Sequence, residues 1–163
     1  MSEEEILSPQ KAYHASGVGH CNCALIIHHH LVRNNIDRTD STWIALNNVI
    51  AFAAEATLKA YLAKHGIDRA ALSKRKPYGH DLRALHAKAV EFGLAEDGIR
   101  LGETQLADAI GRFIDLCGED YLSFNYRYIE RENLAILQAG MAVITVIEAL
   151  RRVLDLCELE TTR

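Results

Sequence analysis

Apolar residues crowd every side of a 3.6-residue period in residues 43 to 65, WIALNNVIAFAAEATLKAYLAKH. A helix that is apolar nearly all round belongs in the middle of a bundle. Glu55 and Lys59 stand at its centre, four residues apart and so neighbours on one face. Asn48, Phe52 and Leu62 share that face. One reading makes the two charges a partly exposed intrahelical pair, contributing about 0.2–0.5 kcal/mol. The other makes them part of a polar seam, shared with other helices, that binds something. Burying a charge without a partner is costly, so the seam must be paired, wet or ligand-bound.

The same periodicity predicts four more helices. Residues 9 to 34 have Ser8 as cap, Pro9 at the first position and an apolar stripe of Ala24, Ile27 and Leu31. Gly17 and Gly19 each weaken it by about 1 kcal/mol relative to Ala. Ser41 or Thr42 caps the central helix, and Gly66 follows its end. Residues 67 to 78 read as a basic connection, with SKRKPYG (73 to 79) at its end. His80 and Asp81 open a helix through Phe92, with Asp81 in the first turn, where a carboxylate suits the dipole. A fourth helix runs from about Thr104 to Leu116, ended by Cys117 and Gly118. Residues 119 to 132, EDYLSFNYRYIERE, read as an extended or turn-like connection. The last helix, 133 to 156, starts at Asn133 and carries two apolar stripes. Leu137, Met141 and Ile144 form one, and Val143, Ile147, Leu150 and Leu154 the other. Two apolar faces on a terminal helix predict contact with its own bundle and with a second subunit. The expectation is an all-α, up-and-down bundle of about five helices in a single domain over 1–163, with residues 1–8 flexible.

Composition adds limits. The 163 residues are enough to bury a real core, and 49% hydrophobic with 25% charged residues is ordinary for a globular protein. A formal charge of −4 argues against bulk attraction to nucleic acid, although a local basic patch is compatible with it. No uninterrupted apolar run has the length of a membrane span, and the acidic MSEEEILSPQ start is unlike a secretory signal. Cys21, Cys23, Cys117 and Cys157 match neither a CxxC pair nor a disulfide framework, and read as reduced thiols of a cytoplasmic protein.

The histidines of the first helix, His20 and His28 to His30, with Cys21 and Cys23, suggest a metal site at first sight. His20 and Cys23 are one turn apart. Cys23 and His30 lie about 10 Å apart along the axis, beyond the reach of one ion. Three consecutive histidines also point in three directions. No metal and no cofactor are expected.

Chemistry concentrates instead around GHDLRAL at 79 to 85. Gly79 permits a tight turn, His80 can hydrogen-bond back into the bundle, and Asp81 can satisfy helix-start amides. Lys74, Arg75 and Lys76 just before it are either a solvated loop or a basic lip beside a site for a phosphate-bearing ligand.

The order FAAEATLKAYL, a basic loop, GHDLRAL and a later aromatic-rich YRY resembles the HEPN family (higher-eukaryote and prokaryote nucleotide-binding domains), over roughly residues 43 to 130. The resemblance implies a helical bundle that dimerises, here through the C-terminal helix. It also implies association with a nucleotide or RNA, or with a nucleotidyltransferase partner, in a prokaryotic toxin–antitoxin or defence system. It places the GHDL turn and the YRY segment near the central helix, so that Glu55, Lys59, His80, Asp81 and Arg127 are the candidate ligand-binding residues. Active ribonucleases of the family carry Arg, then His four to six residues later, at the start of a late helix. Here Arg127 and Arg131 stand near that place, but no histidine follows His86. The reading is therefore a module that binds without hydrolysis. One alternative is a metal-independent endoribonuclease using Arg75 and His80, which have the family spacing in an earlier loop. The other is a purely structural protein-interaction module.

Overall fold

A computed structural model describes residues 8–96, 100–101, 104–123 and 140–158. These residues are helical apart from loops and one two-residue hairpin, so the chain is all-α as expected. Among them no helix is long and apolar enough to cross a membrane.

Helix α1 spans Pro9–Arg33, and the Ser8 hydroxyl accepts from the Lys11 amide at 3.3 Å. Helix α2, Thr42–Lys64, is buried along most of its length and packs against α1. Gly17 faces Thr57 and His20 faces Phe52, so the two run antiparallel. Gly17 is a point of close approach. A Cβ there would sit 2.9 Å from Leu154 Cδ2 and 3.1 Å from Thr57 Oγ1. The helix-weakening glycine thus lets α1 approach two other helices at once.

The connection after α2 is not wholly irregular. A short helix α3, Arg69–Ser73, is capped by Asp68, whose Oδ1 accepts from the Ala71 amide at 2.7 Å. Its Leu72 is fully buried and anchors the basic segment to the core. Helix α4 is Leu82–Glu91, so His80 lies outside it and Asp81 is its cap rather than a first-turn residue. Asp81 Oδ1 accepts from the Ala84 amide at 3.1 Å. His86 Nε2 donates to the Ala107 carbonyl at 2.9 Å and ties α4 to the start of the next helix.

Strands β1 (Arg100–Leu101) and β2 (Thr104–Gln105) pair antiparallel, Arg100 opposite Gln105, where no strand was expected. Helix α5 then runs Leu106–Leu122, through the expected stop at Cys117 and Gly118. A glycine inside a helix costs about 1 kcal/mol. Burial outweighs it here, because Cys117, Gly118, Asp120 and Tyr121 all face the core. Residues 119 to 122 are therefore helical, not an extended connection.

Helix α6, Gly140–Leu156, buries Val143, Ile147, Leu150 and Leu154 in its own bundle, while Ile144 is half-buried. Leu137 and the predicted start at Asn133 lie outside the described residues. Side chains from α1 and α2 hold its C-terminal carbonyls: Gln10 Nε2 donates to Cys157 O at 2.9 Å, His14 Nε2 to Leu154 O at 3.2 Å, and Lys64 Nζ to Leu156 O. All four cysteines are free thiols, and only Cys23 is exposed. Burial pushes the Cys21 thiol up to about 12 against the opposing pull of Arg151.

Candidate functional site

Residue 55 lies in the middle of α2, the helix that touches α1, α4, α5 and α6. A carboxylate there is removed from water and needs donors from the protein. Lys59, one turn on, supplies the first: Nζ is 2.8 Å from Glu55 Oε1, and both side chains are buried. The pair is thus a core feature, not a partly exposed surface bridge. Oε2 takes two more donors, His80 Nδ1 at 2.8 Å and the Tyr121 hydroxyl at 2.5 Å. Burial pushes the Glu55 carboxyl up, but hydrogen bonds from Lys59, Tyr121 and His80 and the Lys59 charge outweigh it. The group is held below its ordinary 4.5 and stays ionised. The Lys59 ammonium also sits 5.8 Å from the centroid of the Tyr13 ring, within cation–π range.

His80 reaches this carboxylate because the chain from Lys74 to Asp81 folds tightly on itself. Gly79 has φ +41°, and a Cβ there would lie 2.9 Å from Arg75 O and 3.0 Å from Arg75 Cα. Any other residue would push the Arg75 backbone away from the turn. The Asp81 amide closes the turn onto Tyr78 O at 2.6 Å. The Lys76–Pro77 peptide is cis.

Beside the turn opens a cleft of about 720 Å³, lined by Ser73, Arg75, Lys76, Pro77, Gly79, His80, Asp81 and Leu122. Arg75, Lys76 and His80 provide positive charge or hydrogen-bond donors, and Pro77 and Leu122 provide apolar surface. Asp81 borders the cleft with its Oδ1 engaged in capping α4. Glu55 and Lys59 do not line it. They stand behind His80, which is about half exposed.

Of the predicted residues, Glu55, Lys59 and His80 form one hydrogen-bonded cluster and Asp81 adjoins it. Arg75 and His80 share the cleft wall. Arg127 and Arg131 lie outside the described residues. The helix-1 residues first weighed for metal do other things: His20 stacks on Phe52 with centroids 5.5 Å apart, and His29, His30 and Cys23 face outward. His28 is buried, and burial, with the neighbouring His29, holds it below its ordinary 6.5.

Sequence reasoning missed Tyr121. Its signal was present, since Ile110, Ile114, Cys117 and Tyr121 keep helical spacing through the glycine at 118. Comparison of the chain with family models, with curated proteins and with solved structures gives no match.

Proposed function

We propose that the chain is a HEPN-like module that dimerises and seats a phosphate-bearing ligand, a nucleotide or a short stretch of RNA, without hydrolysing it. In this reading it acts in the cytoplasm, in a prokaryotic toxin–antitoxin or defence system, alone or beside a nucleotidyltransferase partner. One observation carries the ligand class. A histidine held by a buried carboxylate shares a cleft of about 720 Å³ with Arg75 and Lys76, next to apolar Pro77 and Leu122. Cations suit a phosphate, and the apolar wall suits a base or sugar. A cleft of this size lies within the range of small-molecule sites, about 300–1,000 Å³.

The test is calorimetric titration of the protein with AMP and with a short single-stranded RNA. Saturable binding is expected, weakened by added salt because charges on the cleft meet phosphate. Arg75→Gln/Lys76→Gln should weaken it at least tenfold with the melting temperature unchanged, since both residues are exposed. Equal affinity in the double variant removes the cleft from the reading.

A second reading, endoribonuclease, is favoured by Arg75 and His80 lining the same cleft. Glu55 accepts from Nδ1, so Nε2 of the neutral ring is the basic nitrogen. It would take the 2′-hydroxyl proton as that oxygen attacks phosphorus and the P–O5′ bond breaks, the 5′-oxygen taking a proton from water, while Arg75 steadies the phosphorane charge. We expect purified protein to leave generic RNA uncut. Robust cleavage abolished by His80→Ala, with the fold intact, would promote the enzyme over the binding module.

A further inference from the structure

We infer that Tyr121 is a positioning residue of the cleft: its hydroxyl fixes the Glu55 carboxylate and, through it, the tautomer and aim of His80. The last torsion of a glutamate is broad and roughly two-fold, so a single donor does not fix it. Neither Lys59 nor His80 pins it: the ammonium has three equivalent N–H bonds and can follow either oxygen, and the His80 ring is about half exposed rather than held in the core. Tyr121 differs. The residue is 2% exposed, its ring edge-on to Phe52 at 5.4 Å and to His80 at 6.4 Å, so the core sets where its hydroxyl lies.

That hydroxyl donates to Glu55 Oε2 at 2.5 Å, the same oxygen that accepts from His80 Nδ1 at 2.8 Å. An ionised carboxylate only accepts, so Nδ1 must carry the proton and the neutral ring bears its lone pair on Nε2. Without the hydroxyl, the carboxylate is held only by the ammonium and the half-exposed imidazole, and can twist about its last torsion away from Nδ1. The Nδ1–H bond that favours this tautomer is then weakened. The same turn of α5 places Leu122 on the cleft wall, so one helix end serves both the apolar surface and the histidine. The inference rests on the phosphate-seat reading only for its binding readout.

Tyr121→Phe removes the hydroxyl and keeps the ring, and Tyr121→Met is a second donor-free variant that adapts to the core if the first does not fold. Long-range proton–nitrogen spectra of the His80 ring, recorded above neutral pH on the full chain, report the tautomer directly. The wild type should show one tautomer with the proton on Nδ1. Either variant should show a mixture, and its affinity for AMP should fall at least threefold. A tyrosine that only fills the core would lower the melting temperature and leave the tautomer as it was. An unchanged Nδ1–H tautomer in a folded variant, or an Nε2–H tautomer in the wild type, overturns the proposal. A tautomer that responds to Tyr121 in a protein that binds no AMP supports the positioning role and removes the ligand reading alone.

Discussion

Glu55 shows how one buried charge organises its neighbours. Its carboxyl is held below 4.5 in the folded chain, so the stability this gives is present above the unfolded value and is lost as pH falls through the lower folded one. Glu55→Gln leaves the Lys59 ammonium in the core without a counter-charge, a change that costs about 3–5 kcal/mol in comparable buried pairs. The stability gap between wild type and Glu55→Gln, measured by urea unfolding, should be widest at neutral pH and narrow below pH 4.5. A gap that stays flat into acid would show that the carboxylate charge is not what matters. Lys59→Met should cost less than Glu55→Gln, because Glu55 keeps Tyr121 and His80 as donors. The Glu55–Lys59 pair was legible in the sequence, since an i,i+4 spacing on a continuous helix fixes proximity. The Tyr121 contact was not, because it joins residues 66 apart in the chain through packing that periodicity does not encode.

At the scale of elements, α1 carries two glycines of opposite meaning. Gly17 faces Leu154 and Thr57 too closely for a methyl group, whereas nothing lies within 4 Å of a Cβ on Gly19. Gly19→Ala should therefore stabilise the protein by about 1 kcal/mol through helix propensity. At Gly17 the same gain is opposed by about 1–3 kcal/mol of overpacking against side chains of two other helices. As a result, Gly17→Ala should be net destabilising, by up to about 2 kcal/mol. Thermal melts of the two variants decide the matter, and shifts of the same sign would contradict the packing described here. The sequence showed two helix-weakening glycines and could not separate them, since the difference lies in what each faces. The limits of α1 and α2 were legible from Ser8 and Pro9 and from the apolar run. The start of α4 was placed too early, at His80 and Asp81, because a capping aspartate and a first-turn aspartate look alike in sequence. The end of α5 was misplaced because Gly118 reads as a stop locally, while its burial with Tyr121 sustains the helix. Helix α3 and the two-residue hairpin are too short to leave a periodic signal.

For the whole molecule, the two apolar stripes of the last helix differ in fate. Val143, Ile147, Leu150 and Leu154 are used inside the bundle, and Ile144 on the other stripe is half-buried. If that second stripe meets another copy, as we propose, sedimentation at micromolar concentration should give twice the 18.2 kDa chain mass. A clean monomer would leave the stripe without its role. The all-α class was legible because long apolar periods and only two prolines leave little room for another class. The cleft was not, because it forms where a turn from one end of α4 meets the last residue of α5. We propose this cleft, with His80 held by Glu55, as the place where the protein meets a phosphate-bearing ligand. Amide proton–nitrogen spectra of the labelled protein during an AMP titration test it most directly. Saturable shifts are expected, centred on residues 73 to 81 and on Tyr121 and Leu122, and absent in Arg75→Gln/Lys76→Gln. Shifts centred elsewhere, or no saturable shifts with AMP or with short RNA, would contradict it.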